Sequence, residues 1–226
     1  MKNYIFSKKI NSSSSRRNLL EFLRENSNCE VGGYRIYDGI GNHSLQNPEE
    51  LTWLVEKLQN INNKRKNKFQ TFLEFGYAHG LTNTIINKFF NFKKIVTVDI
   101  VSQEGQSKES FFSNLRFKNI ILIAGNSESQ FVKEQVSLNA KYDLTFIDGG
   151  HEYKIVKNDF KIACKNMSKN ATIVFHDIDA TSCDGPKKLW NEIKRDNLLN
   201  KKFNTYEFVC KKYHTKYGIG ILQSIF

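Results

Sequence analysis

From residue 69 onward the chain alternates short runs of β-branched and aromatic residues with longer stretches of helical period. That alternation limits its fold more than any other feature. The runs are FQTFLEF (69–75), KIVTVDI (94–100), NIILIAG (119–125), YDLTFID (142–148) and ATIVFHD (171–177). Between them lie LTNTIINKFFN, QSKESFFSNL (106–115), SESQFVKEQVSL and YKIVKNDFKIACKNM, each long enough for a crossover helix. Strands buried on both faces read as near-continuous apolar runs, and parallel neighbours need a crossover. The pattern therefore predicts a parallel sheet with helices on both sides. A further helix is expected over 186–198, after which FNTYEFVC and YGIGILQSI, separated by KKYHTK, read as an antiparallel hairpin. The expected architecture is α/β: a doubly wound, mostly parallel, Rossmann-like sheet closed by a terminal hairpin.

Upstream, RRNLLEFLREN (16–26) reads as a short helix. PEELTWLVEKLQN (48–60) has proline at the first helical position, acids in the first turn and apolar residues at Leu51, Leu54, Val55 and Leu58. That spacing predicts an amphipathic helix. Residues 1–16 carry a serine run without periodicity and are expected to form a loose arm, while VGGYRIYDGIGNHSLQN (31–47) reads as loop. The division expected is an arm and lid-like segment over 1–45 and one α/β domain over 46–226. His43, Ser44 and Gln46 are placed to cover a ligand.

The bulk properties exclude several classes. No apolar stretch approaches the roughly 20 residues that span a bilayer, and the basic start, MKNYIFSKKINSSSSRR, lacks the apolar core of a secretory signal. Cys29, Cys164, Cys183 and Cys210 are scattered and form no CxxC pair, which suits reduced thiols in a cytoplasmic protein. Lys plus Arg number 34 against 23 acids, a net charge of +11. A polyanion such as nucleic acid would fit that charge. The blander reading is preferred, because the basic residues are spread in pairs and the residues of A/T-rich codons are inflated together. The densest cluster, NNKRKNK (62–68), falls in an expected loop. A homo-oligomer is left open.

In doubly wound sheets ligands bind beyond the carboxyl ends of the strands. Here those ends carry Glu74-Phe75-Gly76, Asp99, Ala124-Gly125-Asn126, Asp148-Gly149-Gly150-His151 and His176-Asp177. In LEFGYAHGLTNTIIN (73–87), Gly76 and Gly80 sit between a strand and a helix. Glycine lets the backbone turn tightly and approach a ligand, and a helix start offers unpaired N–H groups. A pyrophosphate cradle would read GxGxxG, whereas this is ExGxxxG with Tyr77 and His79 between. Asp99 can accept both hydroxyls of a ribose; a helix cap or a solvated loop acid is the alternative. Together these features favour an adenosine ligand without a pyrophosphate.

With ExGxxxG after the first strand, an acid ending the second and a sheet closing in a hairpin, residues 46–226 resemble a class I S-adenosylmethionine-dependent methyltransferase. The resemblance implies that Glu74, Gly76, Tyr77 and Gly80 lie around the methionine part of S-adenosyl-L-methionine. It places Asp99 on the ribose and Asn126 and Ser127 near the adenine, where family members often carry an acid at the position of Asn126. "FIDGGHEY…VKND" followed by "IVFHD" is similar to the bacterial small-molecule and sugar O-methyltransferases, including the macrolide-sugar enzymes and cephalosporin hydroxylase-like proteins. In the sugar enzymes an acid after the fourth strand and an acid pair after the fifth bind Mg²⁺, and the histidine three beyond the first acid is the base. By that resemblance Asp148, His176 and Asp177 are metal ligands, Asp148 also borders the cofactor, and His151 is the base.

Chemistry supports such a set. Methyl transfer needs an acceptor oxygen held in line and stripped of its proton. A divalent ion lowers the acceptor's pKa, and a histidine can take the proton. His176 stands where the sugar enzymes have an acid, a mixed ligand set that weakens Mg²⁺ and favours Mn²⁺, Fe²⁺ or Zn²⁺. The structural alternatives are a capping role for Asp177, a hydrogen-bonded core histidine at 176 and a cap-region residue at His151. Asp179, Ser182 and Asp184 suit either substrate contact or a turn before Pro186, and Trp190 with Leu189 and Ile193 reads as core. The expected function is O-methylation of a small hydroxylated molecule, a sugar or glycan precursor. A nucleic-acid methyltransferase and a non-catalytic cofactor-binding module are the alternatives.

Overall fold

The computed structural model describes residues 14–30, 33–38, 43–100, 119–212 and 216–225. The expected helix at 106–115 and nearly all of the N-terminal arm lie outside these residues. Seven strands form one sheet in the order β6-β5-β4-β7-β8-β10-β9. They are β4 (Thr71–Phe75), β5 (Lys94–Asp99), β6 (Ile120–Ala124), β7 (Tyr142–Ile147), β8 (Met167–His176), β9 (Phe203–Phe208) and β10 (Ile219–Ser224). The pairs β4–β5, β5–β6, β4–β7 and β7–β8 are parallel, and β10 runs antiparallel between β8 and β9. The doubly wound sheet with its terminal hairpin is thus as the sequence pattern predicts.

Alternate strand residues serve two cores. Phe72, Ile95, Leu144, Phe146 and Val174 face one, with α1 (Arg16–Glu25), α2 (Pro48–Lys64) and α3 (Leu81–Phe90). Leu73, Val96, Ile147, Ile173 and Phe175 face the other, with α4 (Gln130–Leu138), α5 (Tyr153–Asn166) and α6 (Gly185–Arg195). Both neighbours in pairs such as Phe72 and Leu73 are fully buried, and each side chain gains about 1.5–3 kcal/mol from leaving water. Trp190 of α6 is buried against Phe175, as expected of a core residue.

Two stretches depart from the sequence pattern. Residues 27–44, apart from the undescribed ones, are not loop. They contain β1 (Ser27–Glu30), β2 (Gly33–Tyr37) and β3 (His43–Ser44), an antiparallel three-stranded sheet. The strands are short and their glycine-rich surroundings hide the one alternation that matters, in which Ile36 is buried with α1 and α2. The helix expected over 186–198 is two helices, because Asp196 stops α6. Its carboxylate accepts hydrogen bonds from the N–H groups of Leu198 and Leu199, starting α7 (Asn197–Asn200). The basic cluster at 62–68 is partly structural: Arg65 pairs with Asp143 at 2.9 Å and donates to the carbonyl of Asn170. Among the described residues no helix is long and apolar enough to cross a membrane.

The start of α2 fastens the hairpin to the sheet. Asn47 caps the helix by accepting from the N–H of Glu49, and Pro48 occupies its first turn. Glu50, fully buried, accepts from the N–H of Cys210 at 2.8 Å and of Gly218 at 3.0 Å. Burial pushes this carboxyl up, and those two N–H groups and the charge of His176 pull it back. Glu50→Ala would leave two buried donors unpaired, so we expect a loss of about 2–5 kcal/mol of stability in urea denaturation. An unchanged midpoint would show that the pairing of β10 with β8 and its apolar contacts hold the hairpin without Glu50.

Candidate functional site

At the carboxyl edge of the sheet, a cleft of about 370 Å³ opens where strand order reverses between β4 and β7. This switch point is where open α/β sheets bind ligands. The cleft has a glycine-turn side and an acid–histidine side, joined at one tight contact. Gly76 adopts φ +88°, and a Cβ there would stand 2.0 Å from the carbonyl oxygen of Asp148. No residue with a side chain fits between these strand ends.

On the glycine side, the turn after β4 leads into α3 through Gly80, at φ +69°, whose bare α-carbon packs on the Tyr77 ring. Asp99 at the end of β5 is buried, and its Oδ2 accepts from the N–H of Tyr77 at 2.8 Å and of Ala78 at 2.9 Å. The acid that ends the second parallel strand therefore clamps the glycine turn while lining the cleft. Asn126 and Ser127 line the same side; Asn126 accepts from the N–H of Glu128.

Glu74 sits beneath this floor and is not among the cleft-lining residues. Its Oε2 accepts from Asn83 at 2.8 Å and from Thr97 at 3.1 Å. Burial raises its pKa to about 8, against the pull of those two donors, so it is protonated at neutral pH. Because the fold keeps this proton, the group's contribution to stability is full below about pH 4.5 and is lost as pH rises to about 8. Glu74→Gln should therefore gain on the parent protein as pH rises from 5 to 8.5 in parallel denaturation curves. A constant difference across that range would contradict it.

The acid–histidine side is a chain of contacts. Gln46 Nε2 donates to Asp148 Oδ2 at 2.9 Å. Asp148 Oδ1 lies 3.0 Å from His176 Nδ1, and that nitrogen is 3.3 Å from Asp177 Oδ1. Asp177 Oδ2 in turn lies 3.0 Å from His151 Nε2. Asp177 holds a left-handed backbone at φ +62°, uncommon outside glycine. Burial opposes a charged His176, but Asp148 and Asp177 outweigh it and raise its pKa well above the ordinary imidazole range. For Asp177 burial is likewise overcome, by His176 and His151, which hold it below the usual carboxylate range. His151 is raised, first by its hydrogen bond to Asp177.

The fit to a cation can be tested on these atoms. His176 is buried, yet neither ring nitrogen makes a hydrogen bond of acceptable geometry, although two carboxylate oxygens lie within 3.3 Å of Nδ1. Neighbouring ligands around an octahedral ion at about 2.1 Å stand about 3 Å apart, close to the 3.0 and 3.3 Å that separate His176 Nδ1 from the oxygens of Asp148 and Asp177. Asp148, His176 and Asp177 can place one ligand atom each within 4.8 Å of one another, so the donor set fits a divalent ion.

Of the residues singled out in the sequence, the structure brings Gly76, Tyr77, Asp99, Asn126, Ser127, Asp148, His151, His176 and Asp177 to one cleft; Glu74 and Gly80 lie behind it. His43 and Ser44 reach the rim, where Ser44 Oγ lies 2.7 Å from Thr82 Oγ1 and the His43 ring packs on His79. Three residues escaped sequence reasoning. Asp159 of α5 is buried in the cleft wall, its pKa raised by burial to about 6. Tyr217 packs its ring on His176. Gly185 starts α6 against the backbone of His151 and Tyr153. Only the "VKND" spacing offered a signal for any of them.

Residues 73–178 match a family model described as a methyltransferase domain. An O-methyltransferase from Bacillus cereus, solved with S-adenosylhomocysteine, superposes with a TM-score of 0.58 and 13% identity, over 79% of this chain and 82% of that one. The O-methyltransferase TomG from Streptomyces achromogenes, solved with S-adenosylmethionine, gives 0.59 and 12%, over 80% and 81%. A curated but uncharacterized protein of Acanthamoeba polyphaga mimivirus is 27% identical over 125 residues, 53% of this chain. The match spans 57% of that relative's length.

Proposed function

We propose that this chain, which carries a methyltransferase domain with the class I S-adenosylmethionine-dependent architecture, is an O-methyltransferase acting on a small hydroxylated molecule, a sugar or glycan precursor. The observation that carries the reading is the cleft in which a glycine turn suited to an adenosine ligand meets an Asp–His–Asp cluster, His176 and Asp177 buried and Asp148 half-buried. In this reading Gly76, Tyr77 and Gly80 form the turn around the methionine end of the cofactor. Asp99 approaches the ribose, and Asn126 and Ser127 border the adenine. Bound by Asp148, His176 and Asp177, a divalent ion would supply Lewis-acid lowering of the acceptor hydroxyl's pKa.

His151 then has a defined task. Asp177 Oδ2 can only accept, so the His151 proton at rest sits on Nε2, leaving Nδ1 as the basic atom. S-adenosylmethionine, when bound, would supply an electrophilic methyl group on a sulfonium that leaves as a neutral thioether, so the acceptor oxygen has only its proton to lose. The hydroxyl proton passes to Nδ1 of His151, and the resulting imidazolium is stabilised by Asp177. A base with pKa raised above the usual imidazole value suits an acceptor at neutral pH. Its side chain is 57% exposed, so it can meet a substrate at the rim.

Calorimetry with S-adenosylmethionine tests the cofactor assignment, and absence of binding at millimolar ligand would remove it. Transfer of a radiolabelled methyl group to a panel of sugar hydroxyls tests the reaction. His151→Ala should keep cofactor affinity within about twofold and lower turnover about 10²- to 10⁴-fold; an undiminished rate excludes the base role. Cofactor binding without transfer to any acceptor would favour the non-catalytic alternative.

A further inference from the structure

We propose that Gln46 is a positioning residue for the cation site. It would fix the carboxylate of Asp148 so that one oxygen is committed to the N-terminal segment and the other faces His176. The inference rests on the metal reading above and goes beyond it, because Gln46 lies 102 positions from Asp148 in sequence and outside the matched methyltransferase segment.

Three observations support it. Gln46 is fully buried, so its amide cannot exchange its contact with Asp148 Oδ2 for water. That hydrogen bond occupies Oδ2 while Oδ1 stands 3.0 Å from His176 Nδ1, which splits the two oxygens between two tasks. The residue's own place is rigid as well: it immediately precedes Asn47, the cap of α2, and Glu50 one turn on holds the N–H of Gly218 beside Tyr217. The same helix start therefore braces the acid at the end of β7 and the loop that packs on His176.

The remaining atom has a chemical consequence. Gln46 Oε1 is buried with no hydrogen-bond partner. A buried amide oxygen in that state is unfavourable, and its complement is an O–H donor. A water on the cation or the acceptor's hydroxyl meets that need; an apolar ligand does not. Partners of metal ligands commonly tune affinity by orienting them, and their loss costs about 10- to 100-fold in metal binding.

The experiment is titration of the purified full chain with Mn²⁺, read by electron paramagnetic resonance without cofactor or acceptor. Gln46→Leu should weaken Mn²⁺ about 10- to 100-fold, while S-adenosylmethionine affinity by calorimetry stays within about twofold. Gln46→Met keeps the length without the amide and should reproduce the loss if Gln46→Leu folds poorly. Arg24→Ala cuts the ion pair with Glu49 at the same helix start, away from the cleft, and should leave Mn²⁺ affinity unchanged, which separates positioning from general loosening. Undiminished Mn²⁺ binding by both Gln46 variants, with the parent protein binding normally, overturns the assignment alone. So does an equal loss from Arg24→Ala. No Mn²⁺ binding by the parent protein overturns the metal reading and this inference with it.

Discussion

The site depends on the contact between Gly76 and the carbonyl of Asp148, where two adjacent parallel strands end closer than any side chain would allow. Parallel pairing of β4 with β7 sets the two chain ends side by side, and the missing Cβ lets them touch. From there the chains diverge in opposite senses, one into the turn clamped by Asp99, the other into Gly149, Gly150 and His151. A wall shared by these two turns means that a ligand on one lies against the other. That is what a transfer between a bound cofactor and a second molecule needs: two sites whose separation is set by backbone and not by flexible side chains.

The second constraint is electrostatic. His176 and Asp177 are buried with the half-buried Asp148 beside them, and isolated charges there would be costly. The cluster relieves this by pairing: His176 between the two carboxylates, His151 on Asp177, Gln46 on Asp148. It does so imperfectly, since His176 makes no well-formed hydrogen bond.

Much of this was legible in sequence, for identifiable reasons. The parallel strands were readable because burial on both faces leaves few polar positions, as in TFLEF and TIVF. The strand ends were readable because acids, glycines and histidines interrupt those runs. What failed was local or long-range. β1 to β3 are too short, and too rich in glycine around Ile36, for alternation to show. The break at Asp196 needed the capping geometry of one side chain. Asp159, Tyr217 and Gly185 belong to the site only through how α5, the hairpin and α6 pack, and no spacing rule reaches them. Gln46 could be seen as a polar residue before a helix, but its partner could not. In the densest basic cluster Arg65 is spent on Asp143, a pairing across 78 positions that spacing could not show.

In the reading proposed, Asp148, His176 and Asp177 would converge on one divalent cation. Crystals grown with S-adenosylhomocysteine and Mn²⁺, with diffraction recorded at a wavelength where manganese scatters anomalously, test this most directly. The expected result is a single strong peak bonded to one atom each of Asp148, His176 and Asp177, in the cleft beside Gly76. An ordered cofactor with no peak there, and His176 Nδ1 turned to donate a normal hydrogen bond to Asp148, would contradict it.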